Sequence, residues 1–195
     1  MILPVVAYGD PVLRKVAKEI DADYPNLTEL IANMRQTMYN ASGVGIAAPQ
    51  IGKSIRLFVI DATPFADDEE LTEAEREQLK DFNKVFINPT VLKEEGDEWA
   101  FSEGCLSIPD IREDVFRQES VTFEYFDENF EKHQQTLTGV AARVFQHEYD
   151  HLEGILFTDK LSSLKKRILK KKLEKISLGK INADYRMRFP NIKKK

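Results

Sequence analysis

The chain has one cysteine, Cys105, among 195 residues, so no disulfide can form within it. A lone thiol without an export signal fits a reducing, cytoplasmic setting. The opening residues, Met1-Ile2-Leu3-Pro4-Val5-Val6-Ala7, lack a basic n-region and hold a short apolar run, so no signal peptide is expected. Nowhere does an apolar run approach the roughly 18 residues that a membrane span needs. Histidine is scarce as well: His133, His147 and His151 are the full set, and two of them stand four residues apart. Internal repeats and strand–helix–strand alternation are both missing. That points to an α+β class with mostly antiparallel sheets, not a parallel, doubly wound one.

What is present supports one globular domain with an ordinary apolar content of 42%. Charge is unevenly spread. Residues 159–195 carry 14 Lys+Arg against 3 Asp+Glu, a net of +11, while residues 1–158 carry a net of −16. A basic end on an acidic body is either a solvated helix or a docking surface for a polyanion such as RNA.

The spacing predicts a short helix over 11–17 with Asp10 as its cap and Pro11 in its first turn. A longer amphipathic helix follows over 25–41, where Leu27, Leu30, Ile31, Met34 and Met38 share a face. A glycine-rich loop spans 42–52 and a buried strand 55–61. Residues 62–84 are acidic and read as a surface insertion, with Thr72 and Glu75 as a capping box. Strands are expected over 85–89, 98–101, 105–108, 115–117, 121–127 and 131–137. A helix from Thr138 to Gly154 then carries Val140, Val144, His147 and His151 on one stripe. A last helix over 162–176 uses Leu164, Ile168, Leu169, Leu173 and Ile176 as its apolar side. The catalytic domain is expected over 1–176, with 177–195 as a loosely held basic tail.

Within that central helix, Gln146-His147-Glu148-Tyr149-Asp150-His151 is the most chemically loaded stretch. Imidazoles four apart on a helix project from one face about a turn apart and can reach one metal ion. The intervening glutamate then lies beside the open coordination position, as metal-activated hydrolysis requires. Two buried imidazoles without partners would be costly, and a metal supplies a partner. The third ligand is open on spacing alone. One protease pattern would place it at Phe157, which cannot ligate, and another near Glu174, within the lysine-dense helix. His133 sits on a charged strand. Cys105 would give a Cys/His/His set with a free fourth position.

Three segments in order, Gly43-Val44-Gly45-Ile46-Ala47-Ala48-Pro49-Gln50, Glu103-Gly104-Cys105-Leu106-Ser107 and His147-Glu148-Tyr149-Asp150-His151, closely resemble the signature motifs of peptide deformylase. The resemblance extends over the layout to about residue 176. It implies that Cys105, His147 and His151 hold one divalent metal, Fe2+ natively with Zn2+ or Ni2+ as replacements. It implies Glu148 as general base then acid, with the Gln50 side chain and the Leu106 N–H as oxyanion donors. Substrate would be bound by Val44, Gly45, Ile46, Glu103 and Gly104 along an extended peptide. Val140, Arg143 and Val144 would line the methionine pocket. Gln146 and Asp150 would orient ligands, and Glu103 would pair with Arg112 or Arg117. The implied substrate is the N-terminal formyl-methionine of newly made bacterial proteins, and the basic last helix would meet the ribosome. A zincin-like metalloprotease and an RNA-binding module with a structural zinc are the rival readings. Arg143 departs from the pattern, since many relatives are apolar there. Either its stem lines the wall with its head in water, or its head bonds a substrate carbonyl or an acidic neighbour.

Overall fold

The computed structural model describes residues 1–190. It opens with a two-residue strand, β1 (Val5–Val6), and a single 3-10 turn at Pro11–Arg14, where the Asp10 carboxylate accepts from the Val12 N–H at 2.9 Å. The first long helix, α1 (Leu27–Asn40), buries Leu30, Ile31, Met34 and Met38. Five strands follow in sheet order: β2 (Gly45–Ala47), β3 (Leu57–Asp61), β4 (Asn83–Cys105), β5 (Ile108–Phe126) and β6 (Lys132–Thr138). Every neighbouring pair is antiparallel, so the fold is α+β. The remaining helices are α2 (Glu73–Leu79), α3 (Gly139–Leu152) and α4 (Ser163–Ser177), and β7 (Met187–Arg188) closes the described chain.

The strand pieces expected over 85–117 are parts of one long hairpin. β4 and β5 run together from Ile87↔Phe126 to Cys105↔Ile108. The charged run 93–98 hid this, because it looks like a loop. In fact it is exposed ladder, interrupted by register shifts between Glu95 and Glu98 and by Gly96 at φ +89°. Bulges of this kind bend a strand without ending it.

α3 lies on the sheet through aromatic packing. Phe145 stacks on Phe123 with ring centroids 3.7 Å apart and meets Phe58 edge-on at 5.3 Å. A fully buried phenylalanine contributes about 1.5–3 kcal/mol, so this cluster fixes which face of α3 is left for chemistry.

Three expectations need correction. The acidic stretch 62–84 is more than a surface insertion: the Thr72–Glu75 capping box forms, but Leu79 and Phe82 are buried in the aromatic core. α4 packs through Leu169, Leu173 and Ile176, whereas Leu164 and Ile168 are each 64% exposed. Residues 177–190 do not hang free. β7 pairs in parallel with β1, with Val5 N–H donating to Arg186 O and Ala7 N–H to Arg188 O, both at 2.9 Å. The lysines at 193–195 lie outside the described residues. Among the described residues no helix is long and apolar enough to cross a membrane.

Candidate metal centre

Two elements deliver the donor atoms. α3 presents His147 and His151 from consecutive turns, with ring centroids 5.1 Å apart. The end of β4 brings Cys105 to them, and Sγ lies 3.3 Å from His151 Nε2. One donor atom from each of the three residues falls within 4.8 Å of the others.

A buried ionic frame orients this group. His147 Nδ1 donates to Glu103 Oε2 at 2.9 Å, which leaves Nε2 with its lone pair facing the thiol. Glu103 is gripped bidentately by Arg117 through Nε at 2.7 Å and Nη2 at 2.9 Å, and Arg117 Nη1 also donates to Asp150 at 2.6 Å. Burial alone would raise the Glu103 carboxyl, but hydrogen bonds from Arg117 and His147 outweigh it and hold the group well below the usual carboxylate range. Burial depresses His151, helped by the charge of His147, while Cys105 and Glu103 together outweigh burial at His147 and raise it. His151 Nδ1 is buried with no hydrogen-bond partner among the described residues. A thiol and two imidazoles converging in a buried site fit a borderline-soft divalent cation.

Glu148 stands beside this group and is buried, with Oε2 unpartnered. Burial pushes its carboxyl up to about 7, and Glu103 adds to the rise while His147 and Arg117 oppose it. Its place explains Gly45. A β-carbon on that residue would collide with the Glu148 carboxylate, so the glycine makes room for the acid. Sequence reasoning gave this glycine to close substrate approach, because which side chain faces it depends on the register of β2 against α3.

Gln50 Oε1 accepts from the Ala47 N–H at 2.8 Å, which turns Nε2 toward Cys105 Sγ at 3.3 Å and Ser107 Oγ at 3.4 Å. Leu106 lies in the turn joining β4 to β5. Its carbonyl accepts from the Tyr185 hydroxyl at 2.7 Å. Burial, with Cys105 nearby, keeps that hydroxyl protonated above the ordinary phenol range. These groups open onto a cleft of about 620 Å³ between Val44 and Gly45 at the edge of the sheet, the hairpin end, and the Val144 face of α3.

Not every residue expected at the cleft reaches it. Val140 is buried in the aromatic core and Ile46 packs with the α1 side chains, each pointing away from the cleft. Glu103 does line the cleft, and its side chain, wholly engaged by Arg117, Arg143 and His147, braces the site. Arg112 does not join it and instead donates to the Ser102 carbonyl at 2.7 Å. Gln146 faces the hairpin, donating to Glu94 at 2.8 Å, and does not touch the histidines. The Arg143 head does not reach water. It is 1% exposed, donates to Glu103 at 3.1 Å, Val115 O at 2.9 Å and Trp99 O at 2.7 Å, and lies over the Trp99 ring. Tyr185 and Phe65, both at the cleft, carry no local pattern that would have revealed them.

The family model described as polypeptide deformylase matches residues 2–167. The peptide deformylase of Christiangramia forsetii is 70% identical over 194 residues, covering 100% of this chain and 99% of that protein. That of Flavobacterium johnsoniae is 61% identical over the same shares. Among solved structures, a peptide deformylase from Legionella pneumophila superposes with a TM-score of 0.76 at 39% identity, covering 90% of this chain and 95% of the other. A match along nearly the whole length, by sequence and by structure alike, makes this chain an enzyme of the polypeptide deformylase family.

Proposed function

We propose that this chain removes the N-formyl group from the N-terminal formyl-methionine of newly synthesised proteins in the bacterial cytoplasm, and that it does so with one divalent ion held by Cys105, His147 and His151. The observation that carries the reading is Glu148, a carboxyl buried beside the converging thiol and imidazoles with Oε2 unpartnered among the described residues. When bound, the ion supplies Lewis acidity, lowering the pKa of a water and polarising the formyl carbonyl. By ligand softness zinc suits this set and ferrous iron is also held; the family resemblance favours Fe2+ as the native ion, with Zn2+ or Ni2+ as replacements.

The protein's own groups then divide the work. Glu148 takes the proton of the attacking water and later returns it to the departing amine, a role matched to a carboxyl near neutral pH. Charge developing on the formyl oxygen is met by Gln50 Nε2, whose direction the Ala47 N–H fixes, and by the Leu106 N–H. β2 is the edge strand of the sheet, so the substrate backbone adds to it as a further strand beside Val44 and Gly45. Arg143 and Val144 support the wall that receives the methionine side chain. The lysine-rich face of α4 meets the ribosome, which brings the cleft to emerging chains.

Formate release from a formyl-methionyl peptide tests the reading. Glu148→Ala should abolish it while metal content is retained. Casein cleavage without formate would favour the zincin-like metalloprotease instead.

A further inference from the structure

Resting on that reading of the reaction, one group outside the stretch that matches the family model enters the site. The Cys105-Leu106-Ser107 turn carries a metal ligand and an oxyanion donor, and a single pair, Cys105↔Ile108, closes it at the end of the β4–β5 ladder. A register shift falls between Gly104 and Cys105. Contacts outside the ladder fix its shape further. On one side the Tyr8 N–H donates to Ser107 O at 2.8 Å, and Gln50 Nε2 reaches Ser107 Oγ at 3.4 Å. Among the described residues, the Leu106 carbonyl is held by the Tyr185 hydroxyl at 2.7 Å.

Tyr185 is itself well fixed. The strand just after it pairs with β1, and Arg188 lies 3.5 Å from Asp10. Arg188 also fills the space where a β-carbon on Gly52 would stand, with Nη2 2.7 Å from that position. The same segment, 182–185, forms part of the cleft wall.

We propose that Tyr185 is a positioning residue for deformylation: its hydroxyl fixes the backbone of Leu106, so the adjoining N–H is aimed where the oxyanion develops. The carbonyl and the N–H of Leu106 flank one α-carbon. Tethering the first restricts rotation of the second, and a donor displaced by a fraction of an ångström loses much of its worth in the transition state. The ground state, bound along β2, is affected far less. The effect therefore falls on kcat and leaves KM nearly alone.

The test compares wild type with Tyr185→Phe in the metal-loaded, full-length chain. Phenylalanine keeps the ring and deletes the hydroxyl. Expected are a kcat about tenfold lower, a KM within about twofold, and unchanged metal content. Hydrogen exchange across 105–108 should also quicken while that of β3 stays the same. Wild-type kcat in the variant, or a change confined to KM, would overturn the proposal, as would identical exchange in the turn. If the wild-type chain itself released no formate, the reaction reading would fail. The exchange comparison alone would then decide whether Tyr185 holds the turn.

Discussion

Two carboxyls that both act on His147 are set against each other. Glu103 is held below its ordinary range by Arg117 and His147, whereas burial lifts Glu148 to about 7. Their effects on stability have opposite signs. Glu103 loses its proton more readily folded than unfolded. Its contribution is present above the unfolded value of about 4.3 and disappears as pH falls further. Glu148 keeps its proton in the folded state to about 7 and in the unfolded state to about 4.3, so its burial costs stability as pH rises through that window. Glu148→Gln in metal-free protein should therefore raise stability at pH 8 by about 1–3 kcal/mol and change little at pH 4, as read by urea denaturation. An equal gain at both pH values would contradict the burial argument. For catalysis the sign is simpler: kcat/KM should fall with acid as Glu148 protonates. A bound cation would move that limb below the metal-free value.

Gly45 belongs to the same scale. Gly45→Ala pushes a methyl group against the Glu148 carboxylate, and the side chain gives way, not the sheet. The expected outcome is a kcat lower by about 10–100-fold with bound metal and melting temperature retained. A fully active alanine variant would show that the carboxylate need not occupy that place.

Among elements, the long hairpin and α3 depend on one another through Arg143. Its guanidinium ties the carbonyl of Trp99 on β4 and that of Val115 on β5 to Glu103, and through Glu103 to His147 on α3. Arg143→Leu strips all three acceptors at a buried position. A loss of about 3–5 kcal/mol is expected, measurable in the chemical denaturation midpoint together with weaker metal retention. A midpoint equal to wild type would mean that Arg117 alone braces Glu103. Lysine is no substitute, since it lacks the planar fork that reaches three acceptors at once.

For the whole molecule, α4 turns Lys166, Lys170, Lys171 and Lys172 to solvent, and Lys165 pairs with Glu113 at 2.7 Å. Replacing those four exposed lysines by glutamine should weaken ribosome binding, with a shallower salt dependence, and leave hydrolysis of a free peptide unchanged. Unaltered affinity at low salt would remove the docking proposal. Truncation is the poorer experiment, because it also removes the segment that lines the cleft.

Legibility followed the range of the interactions. His147, Glu148 and His151 stood out because helical periodicity converts spacing into a shared face. α1, the capping box at Thr72 and the class of the fold were readable for the same local reason. What escaped depends on register between distant segments. Arg143 looked amphipathic until the hairpin folded over it, and Gly45, read as a substrate contact, gave no sign that Glu148 also lies against it. Val140 and Val144 share a stripe in sequence and both pack in the aromatic core, but only Val144 also reaches the cleft. Tyr185 sits in a basic stretch without periodicity, where nothing local marks one residue above its neighbours.

The parallel pairing of β1 with β7 has a consequence for how this enzyme comes into being. Val5 meets Met187, so nearly the whole chain separates the two partners. Contacts of such sequence separation form late, after the loop they close has been ordered. During synthesis the thiol, both imidazoles and Glu148 emerge first and can assemble a centre. The Leu106 turn gains its Tyr185 anchor only when residues near 188 have left the ribosome. The enzyme thus acquires the support of its Leu106 turn only after every residue of its candidate metal centre has been made.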